Sequence, residues 1–359
     1  MTETLRSRDA GPRPAVPASG RTAPPKRVDV SRAVVVGLVL AAGVVVLAGL
    51  SLAVGARATS LPVVWDALVD FDPANTDHVV IHTRIPRTVT GIVVGAALAL
   101  AGAAMQGITR NPLADPGILG LNAGAALAVV LGIHLFGIGT VTGYIWFAFA
   151  GAAFSAVVIY LVASLGREGA TPVKLALAGA ALAAGLMSVM HAILLMDQAA
   201  LDGFRFWQVG VLGARSLSDV ATLLPFFAAG ALLVFASTRL FNALALGDDA
   251  ATGLGVRVGR GRITAGLGVV LLAGGGTALA GPIAFLGLVI PHAIRLLTGA
   301  DYRSLMPLSV LAGPVLLLGA DVLGRIILPP SEVQVGVMTA VIGAPVFIWL
   351  IRTRKQVTL

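Results

Sequence analysis

The sequence of 359 residues contains no cysteine. This absence excludes disulfide frameworks, thiolate metal sites and cysteine nucleophiles together. Charged side chains are also scarce, because they make up only 12% of the residues, about half of the share that is usual in a soluble domain. With a mean hydropathy of +0.94, this is the composition of a protein whose solvent is lipid.

Lipid restricts the fold, because backbone polar groups in the bilayer core must be satisfied by helices or closed barrels. The apolar runs are long and do not alternate, which favours helices and an all-α membrane protein. At roughly 20 apolar residues per span, we predict ten transmembrane helices. They cover residues 33–54, 84–108, 117–136, 144–165, 172–196, 219–238, 263–281, 282–298, 304–324 and 334–352.

The first residues differ from the rest of the chain. Residues 1–32 hold five prolines and seven basic residues but no apolar run, which predicts a disordered cytoplasmic tail. The apolar stretch that follows is too long for a secretory signal and lacks a cleavage site. Residues 33–355 are therefore predicted to form one transmembrane domain.

Lysine is rare, with three residues against 22 arginines, and the basic residues are unevenly placed. With the N-terminus inside, 19 basic residues fall on the inner side and six on the outer side. The positive-inside rule therefore places both termini in the cytoplasm, and the net charge of +8 indicates topology rather than nucleic-acid binding. The six outer residues are Arg57, Arg84, Arg87, Arg205, Arg215 and Arg325.

The ten helices suggest an internal symmetry. Helices 2–5 and 7–10 form two groups of four that run in opposite directions, so any kinship between them would be an inverted repeat, as is common in transporters. The runs 97–107 and 272–282 are both rich in small residues. Plain small-residue helix packing explains these runs equally well.

Motifs for chemistry are absent. No G-x-x-x-x-G-K-[ST] or H-E-x-x-H stretch occurs, so the sequence predicts neither a nucleotide site of its own nor a zinc enzyme. Ionisable residues within the spans are few, which disfavours an ion-coupled carrier. Asp321 lies four residues before Arg325, a spacing that allows a salt bridge within one helix, and a substrate or ion site is the alternative interpretation.

Three connections between spans carry specific features instead. Residues 84–87, R-I-P-R, place two arginines at the outer mouth of the second predicted helix, with Pro86 in its first turn. Residues 111–116, N-P-L-A-D-P, predict a stiff corner at its inner end. Within the inner loop 239–262, Asp248 and Asp249 predict the first turn of a short helix on the membrane face.

At these connections the sequence resembles the FecCD family, the permease subunits of ABC importers that take up ferric siderophores, haem or vitamin B12. Residues 332–336, E-V-Q-V-G, depart from the family pattern, which has proline at the third position. The stretches that carry the resemblance are 84–87, 95–107, 111–120, 244–256, 280–292, 320–325 and 336–345.

The resemblance implies ten helices in the cell membrane and a set of partners. These are a second permease subunit, alike or different, two ATP-binding subunits and an extracytoplasmic substrate-binding protein. ATP and Mg²⁺ belong to the partner ATPases, so this chain is expected to need no cofactor or metal and to be no enzyme.

The resemblance also implies roles for individual residues. Arg84, Arg87 and Arg325 would receive acidic side chains of the binding protein, while Asn111 and Leu113 would lie at the cytoplasmic gate. The residues expected in a groove of the ATPase are Leu246, Gly247, Asp248, Asp249, Ala250, Gly253, Leu254 and Gly255.

The sequence therefore favours a permease subunit that moves a metal chelate, foremost a ferric siderophore, by ATP-driven alternating access. The alternative is an ion-coupled secondary transporter or channel that acts without an ATPase. The identity of the chelate stays open at this point.

Overall fold

The computed structural model describes residues 30–55, 57–138, 140–165, 171–213, 215–329 and 331–353. These residues form helices and connections, with no strand among them. The predicted tail lies outside them up to residue 29, but residues 30–32 already belong to the first helix. The α-helices are α1 (Val30–Ala53), α2 (Leu61–Val69), α3 (Thr76–Thr109), α4 (Leu121–Phe136), α5 (Val141–Ala163), α6 (Pro172–Met196), α7 (Gln198–Gln208), α8 (Leu217–Ala236), α9 (Thr238–Leu244), α10 (Asp248–Gly253), α11 (Val258–Val269), α12 (Gly275–Ala280), α13 (Leu286–Thr298), α14 (Tyr302–Ile327) and α15 (Val335–Thr353).

Seven helical stretches in the described chain are long and apolar enough to cross a membrane, and three shorter apolar helices accompany them. One of the long stretches, Val258–Ala280, joins α11 to α12 through a π-helical segment, Val270–Gly274. Each of the ten predicted spans overlaps one of these helices. The shorter three are α4, α13 and the first part of α15.

The second predicted helix starts earlier than expected. Helix α3 begins at Thr76, where the side chain of Asn75 accepts the backbone N–H of Asp77 at 3.0 Å. Pro86 therefore lies inside α3, and its expected place in the first turn is wrong. The added turns pack against the short helix α2, where His78 and Ile81 of α3 are buried.

Other connections also hold helices that the sequence reading missed. Helices α2 and α7 lie in segments expected to be loops, and the inner loop 239–262 is shorter, because α9 and α11 occupy both of its ends. The predicted break between spans near Pro282 is confirmed. The chain leaves α12 at Gly281, with φ of +77°, and α13 begins after Phe285, with φ of +68°.

Helix α3 forms the centre of the bundle, and its neighbours approach its backbone at glycines. A Cβ atom built on Gly102 would lie 2.0 Å from the carbonyl oxygen of Gly287 in α13. A Cβ on Gly95 would lie 2.8 Å from the backbone nitrogen of Pro314 in α14. Small residues permit such close helix packing in membranes, so the positions of α13 and α14 depend on these glycines.

Helices α4 and α5 meet in the same way. A Cβ on Gly124 would lie 2.3 Å from the carbonyl oxygen of Gly151, and one on Gly151 would lie 2.2 Å from that of Gly124. Because the opposing atoms belong to backbones, no side-chain rotation can relieve these contacts.

We predict that Gly102→Ala destabilises the protein, whereas Gly185→Ala does not. Overpacking costs about 1–3 kcal/mol, and the backbone of Gly287 cannot move aside alone. Gly185 lies in α6 with nothing within 4 Å of a built Cβ, so alanine there should leave stability unchanged or raise it by up to about 1 kcal/mol. Thermal unfolding in detergent measures both, and equal midpoints would contradict the packing argument.

Candidate functional site

The predicted outer face holds a cluster of arginines around the C-terminal end of α1. Arg84 donates to the carbonyl oxygens of Leu52 at 2.7 Å and Ala53 at 3.1 Å. Arg325 donates to the carbonyl oxygen of Ser51 at 2.8 Å. The last carbonyls of a helix have no partner within it and carry partial negative charge. The two arginines therefore cap α1.

The same cluster holds a buried carboxylate between two guanidinium groups. Asp321, which is 1% exposed, accepts from Arg87 of α3 at 2.8 Å and from Arg325 of its own helix at 2.8 Å. The predicted intrahelical pair between Asp321 and Arg325 is thus confirmed. Arg87 also donates to Glu332 at 2.7 Å, which ties α3 to the connection before α15.

Hydroxyl groups complete this outer arginine cluster. Ser51 accepts from Arg325 at 2.9 Å, and its Oγ lies 2.8 Å from the Oγ1 of Thr88. The cluster therefore joins α1, α3 and α14 through hydrogen bonds that lie mostly out of solvent. Opposite charges and full hydrogen bonding offset the cost of burying these ions.

The structure brings the three arginines expected to receive a binding protein together at one face. Their donors, however, have partners within the chain. Arg325 is buried, at 4% exposed, whereas the side chain of Arg87 is 16% exposed and that of Glu332 is 32% exposed. In this conformation solvent reaches Arg84, Arg87 and Glu332, whereas Asp321 and Arg325 are buried.

The opposite face carries residues 246–256, which include the residues expected to contact an ATPase, and we call them the coupling segment after that expectation. Its centre is the short helix α10, so the predicted helix at Asp248 and Asp249 is confirmed. Gly247 with φ of +110° and Gly255 with φ of +80° flank it, conformations that glycine adopts without steric cost. Leu246 and Leu254 are each 67% exposed.

Some of the other residues of the coupling segment are held by contacts within the domain, and the rest are exposed. Asp248 pairs with Arg262 of α11 at 2.9 Å and lies 3.8 Å from Arg110. Ala251 is fully buried. The remaining expected contact residues are at the surface or have nothing within 4 Å of a built Cβ, namely Asp249, Ala250 and Gly253.

The predicted inner corner lies beside this segment. Helix α3 ends at Thr109, and Arg110, the next residue, lies in the left-handed region with φ of 53°. Asn111 then folds the chain back, because its Oδ1 accepts the backbone N–H of Leu113 at 2.9 Å. Both Asn111 and Leu113 are exposed. Asp115 follows and accepts the N–H of Gly117 at 2.8 Å, while desolvation by burial raises the pKa of this carboxyl.

A buried amide and guanidinium join α3 to α13 next to the corner. Gln106 donates to the carbonyl oxygen of Gly287 at 3.1 Å and accepts from Arg295. Arg295 is 7% exposed. This contact adjoins the close approach of Gly102 and Gly287, so it fixes the same helix pair.

The described residues contain no group of three or more side chains suited to a metal ion. The site features are instead two charged faces, joined by a buried helix. Predicted outer residues such as Arg57 and Arg84 lie at one end, and predicted inner residues such as Arg110, Asp248 and Arg262 lie at the other.

Comparison with known proteins identifies the family. Residues 43–353 match the model of the FecCD transport family. The chain belongs to this family. Because the match covers most of the described helices, the fold and both charged faces belong to the family domain.

Curated relatives cover nearly the whole chain. The ferric enterobactin transport system permease protein FepD of Escherichia coli K12 is 44% identical over 331 residues, covering 92% of this chain and 98% of the relative. The iron(3+)-hydroxamate import system permease protein FhuB of Bacillus subtilis 168 is 41% identical over 323 residues, covering 89% of this chain and 84% of the relative.

A solved structure has a similar fold. It is an inward-facing conformation of an ABC transporter assigned to the metal-chelate type. The TM-score is 0.78 at 26% identity, and the match covers 90% of this chain and 100% of the other.

Sequence reasoning found both faces but missed several partners. It did not foresee that Arg87 binds Asp321, because 234 residues separate them. It noted Glu332 only as part of a motif, and it assigned no role to Ser51. The excess of arginine over lysine was the available signal for such buried partners, because guanidinium groups suit ion pairs that are buried and make several hydrogen bonds.

We predict that Asp321→Asn lowers the free energy of unfolding by about 3–5 kcal/mol, because two buried guanidinium groups lose their shared carboxylate. The matched control is Asp202→Asn, which removes a carboxylate from an exposed pair with Arg205 at 3.2 Å. Such exposed pairs contribute about 0–1 kcal/mol. Chemical or thermal unfolding in detergent measures both, and equal losses would refute the structural role of Asp321.

Proposed function

We propose that this chain is the membrane-spanning permease subunit of an ABC importer. It would act with a second permease subunit, two ATP-binding subunits and an extracytoplasmic binding protein, and ATP binding and hydrolysis would drive alternating access. The observation that carries the proposal is the coupling segment, a glycine-flanked helix with exposed Leu246 and Leu254 beside it. Partly exposed apolar residues of this kind suit contact with a partner protein.

The proposed cargo is a metal chelate, foremost a ferric siderophore. Support comes from the relatives, which are named for ferric enterobactin and iron(3+)-hydroxamate transport. The charge network argues against the alternative of an ion-coupled carrier. Asp321, a buried carboxylate within a span, is held by two arginines, so it is poorly suited to exchange protons or cations.

We further propose ten membrane spans with both termini in the cytoplasm and an inverted repeat. The described helices support the repeat by their order. Helix α4 follows a residue in the left-handed region, Gly120, and α13 likewise follows Phe285. Each is a short apolar helix, and two longer helices come after it: α5 and α6 in one half, α14 and α15 in the other.

The transport proposal predicts that uptake depends on partner subunits. The permease alone should show no ATP hydrolysis, since the sequence has no nucleotide motif. Reconstitution with its ATPase and binding protein should give ATP-dependent uptake of a ⁵⁵Fe-labelled siderophore. Uptake driven by an ion gradient without ATP would instead support the carrier.

The topology proposal can be tested with single cysteines, because the chain has none of its own. Ser31, Ala300 and Ser331 are exposed residues near the ends of α1, α14 and α15. In right-side-out vesicles a membrane-impermeant maleimide should label Ser331→Cys. Ser31→Cys and Ala300→Cys should react only after permeabilisation. Labelling of all three from outside would contradict the proposed topology.

A further inference from the structure

The short helix α10 has few fixed attachments in the described chain. Gly247 and Gly255 flank it, with nothing within 4 Å of a Cβ built on either. Ala251 is its buried residue. Because the flanking glycines can change conformation at low cost, the side-chain contacts of α10 offer a route by which its movement can reach the neighbouring helices.

Asp248, the first residue of α10, makes those contacts in two directions. Its carboxylate binds Arg262 of α11 in a bidentate pair, at 2.9 and 3.0 Å. Its Oδ1 also lies 3.8 Å from Arg110 at the end of α3. One side chain of α10 is therefore shared between two membrane-spanning segments.

Arg110 is well placed to receive motion. Its backbone N–H donates to the carbonyl oxygen of Gln106, which fixes the residue to the last turn of α3. The next residue, Asn111, opens the inner corner that presents Leu113. A displacement of the Arg110 side chain would therefore act where the rigid helix meets the corner.

The inner ends of the neighbouring helices are not closely packed on all sides. A cavity of about 550 Å³ lies between the inner ends of α3, α5, α6 and α11, with Arg262 at its wall. Met105 and Ile108 of α3 line it, as does Tyr160 of α5. Side chains that border an open volume can shift without the overlap that a close-packed core would impose.

We propose that the contact between Asp248 and Arg110 carries movement of α10 to the inner corner of α3, which makes Arg110 a positioning residue for transport. The inference rests on the proposed function, since it assumes that an ATPase moves α10. It adds a defined route from the coupling segment to Asn111 and Leu113. The route bypasses α11, to which Asp248 is bound separately through Arg262.

The test uses the complete reconstituted transporter and compares three permease variants. Arg110→Gln removes the charge, and Arg110→Lys retains it. Arg260→Gln is the matched control, because Arg260 is an exposed arginine near the start of α11, outside the proposed contact. Three quantities are measured: uptake of a ⁵⁵Fe-labelled siderophore, ATP hydrolysed per molecule taken up, and the amount of ATPase that co-purifies with the permease.

Exposed ion pairs shift an equilibrium by about two- to fivefold, and this sets the expected effect. Arg110→Gln should lower uptake by that factor and raise the ATP used per molecule, with unchanged co-purification of the ATPase. Arg110→Lys should restore most of the uptake, and Arg260→Gln should match the wild type. Loss of co-purification in Arg110→Gln would overturn the proposal, because Arg110 would then be a docking residue.

A double-mutant cycle isolates the pair. In a background of Asp248→Asn, the further change Arg110→Gln should have no additional effect on uptake, whereas additive losses would overturn the proposed contact. The wild type separates this test from that of the proposed function. If the wild type takes up the siderophore and Arg110→Gln takes it up equally well, the proposed contact between Asp248 and Arg110 is overturned but the proposed function is not. If the wild type shows no ATP-dependent uptake, the proposed function is overturned.

Discussion

The close approach of backbones around α3 is the constraint on which the rest of the structure depends. Gly95 and Gly102 let α14 and α13 pack directly against the backbone of α3. Because these contacts join backbones, no side chain can rotate to let the helices slide past one another. Helix α3 therefore behaves as a fixed axis, and the groups at its two ends keep a constant separation.

That axis is longer than the membrane core. Its 34 residues extend about 51 Å at 1.5 Å per residue, whereas the hydrocarbon layer is about 30 Å thick. The helix can therefore hold Arg87 within the outer charge network and Arg110 beside the coupling segment at once. Both faces of the domain are built on one element, so a force at one face has a rigid path to the other.

The sequence was sufficient to predict the helical class, the positions of the long apolar helices and the separation of the charged segments into two groups, while the membrane side of each group stays a prediction. Hydropathy and the arginine distribution are local properties of the sequence, so both can be used without knowing how the helices pack. The start of α3 was missed because the helix begins after Asn75, within a polar stretch whose low hydropathy predicts a loop. The partners of Arg87 were missed because they lie far away in sequence, where spacing carries no information.

The short helices were missed for a related reason. Helix α7 lies in a segment without a long apolar run, so hydropathy had no pattern to detect there. Its C-terminal connection is nevertheless closely packed, since a Cβ on Gly336 would lie 2.3 Å from the carbonyl oxygen of Val209. Tertiary packing positions this connection, and a single sequence does not reveal such packing.

The two faces differ in how their charges are held, and this difference bears on how each could respond to a partner. On the inner face, Asp248 is 45% exposed and its helix is flanked by glycines. On the outer face, Arg84 and Arg325 cap the end of α1, so removing either from its carbonyl partners would leave buried acceptors unpaired.

Arg87 is different, because its bond to the half-buried Glu332 can be exchanged for another carboxylate while Asp321 stays bound. A partner that presents carboxylates to the outer face would therefore engage Arg87 at the lowest cost, and the first element to feel the exchange would be the connection that leads into α15.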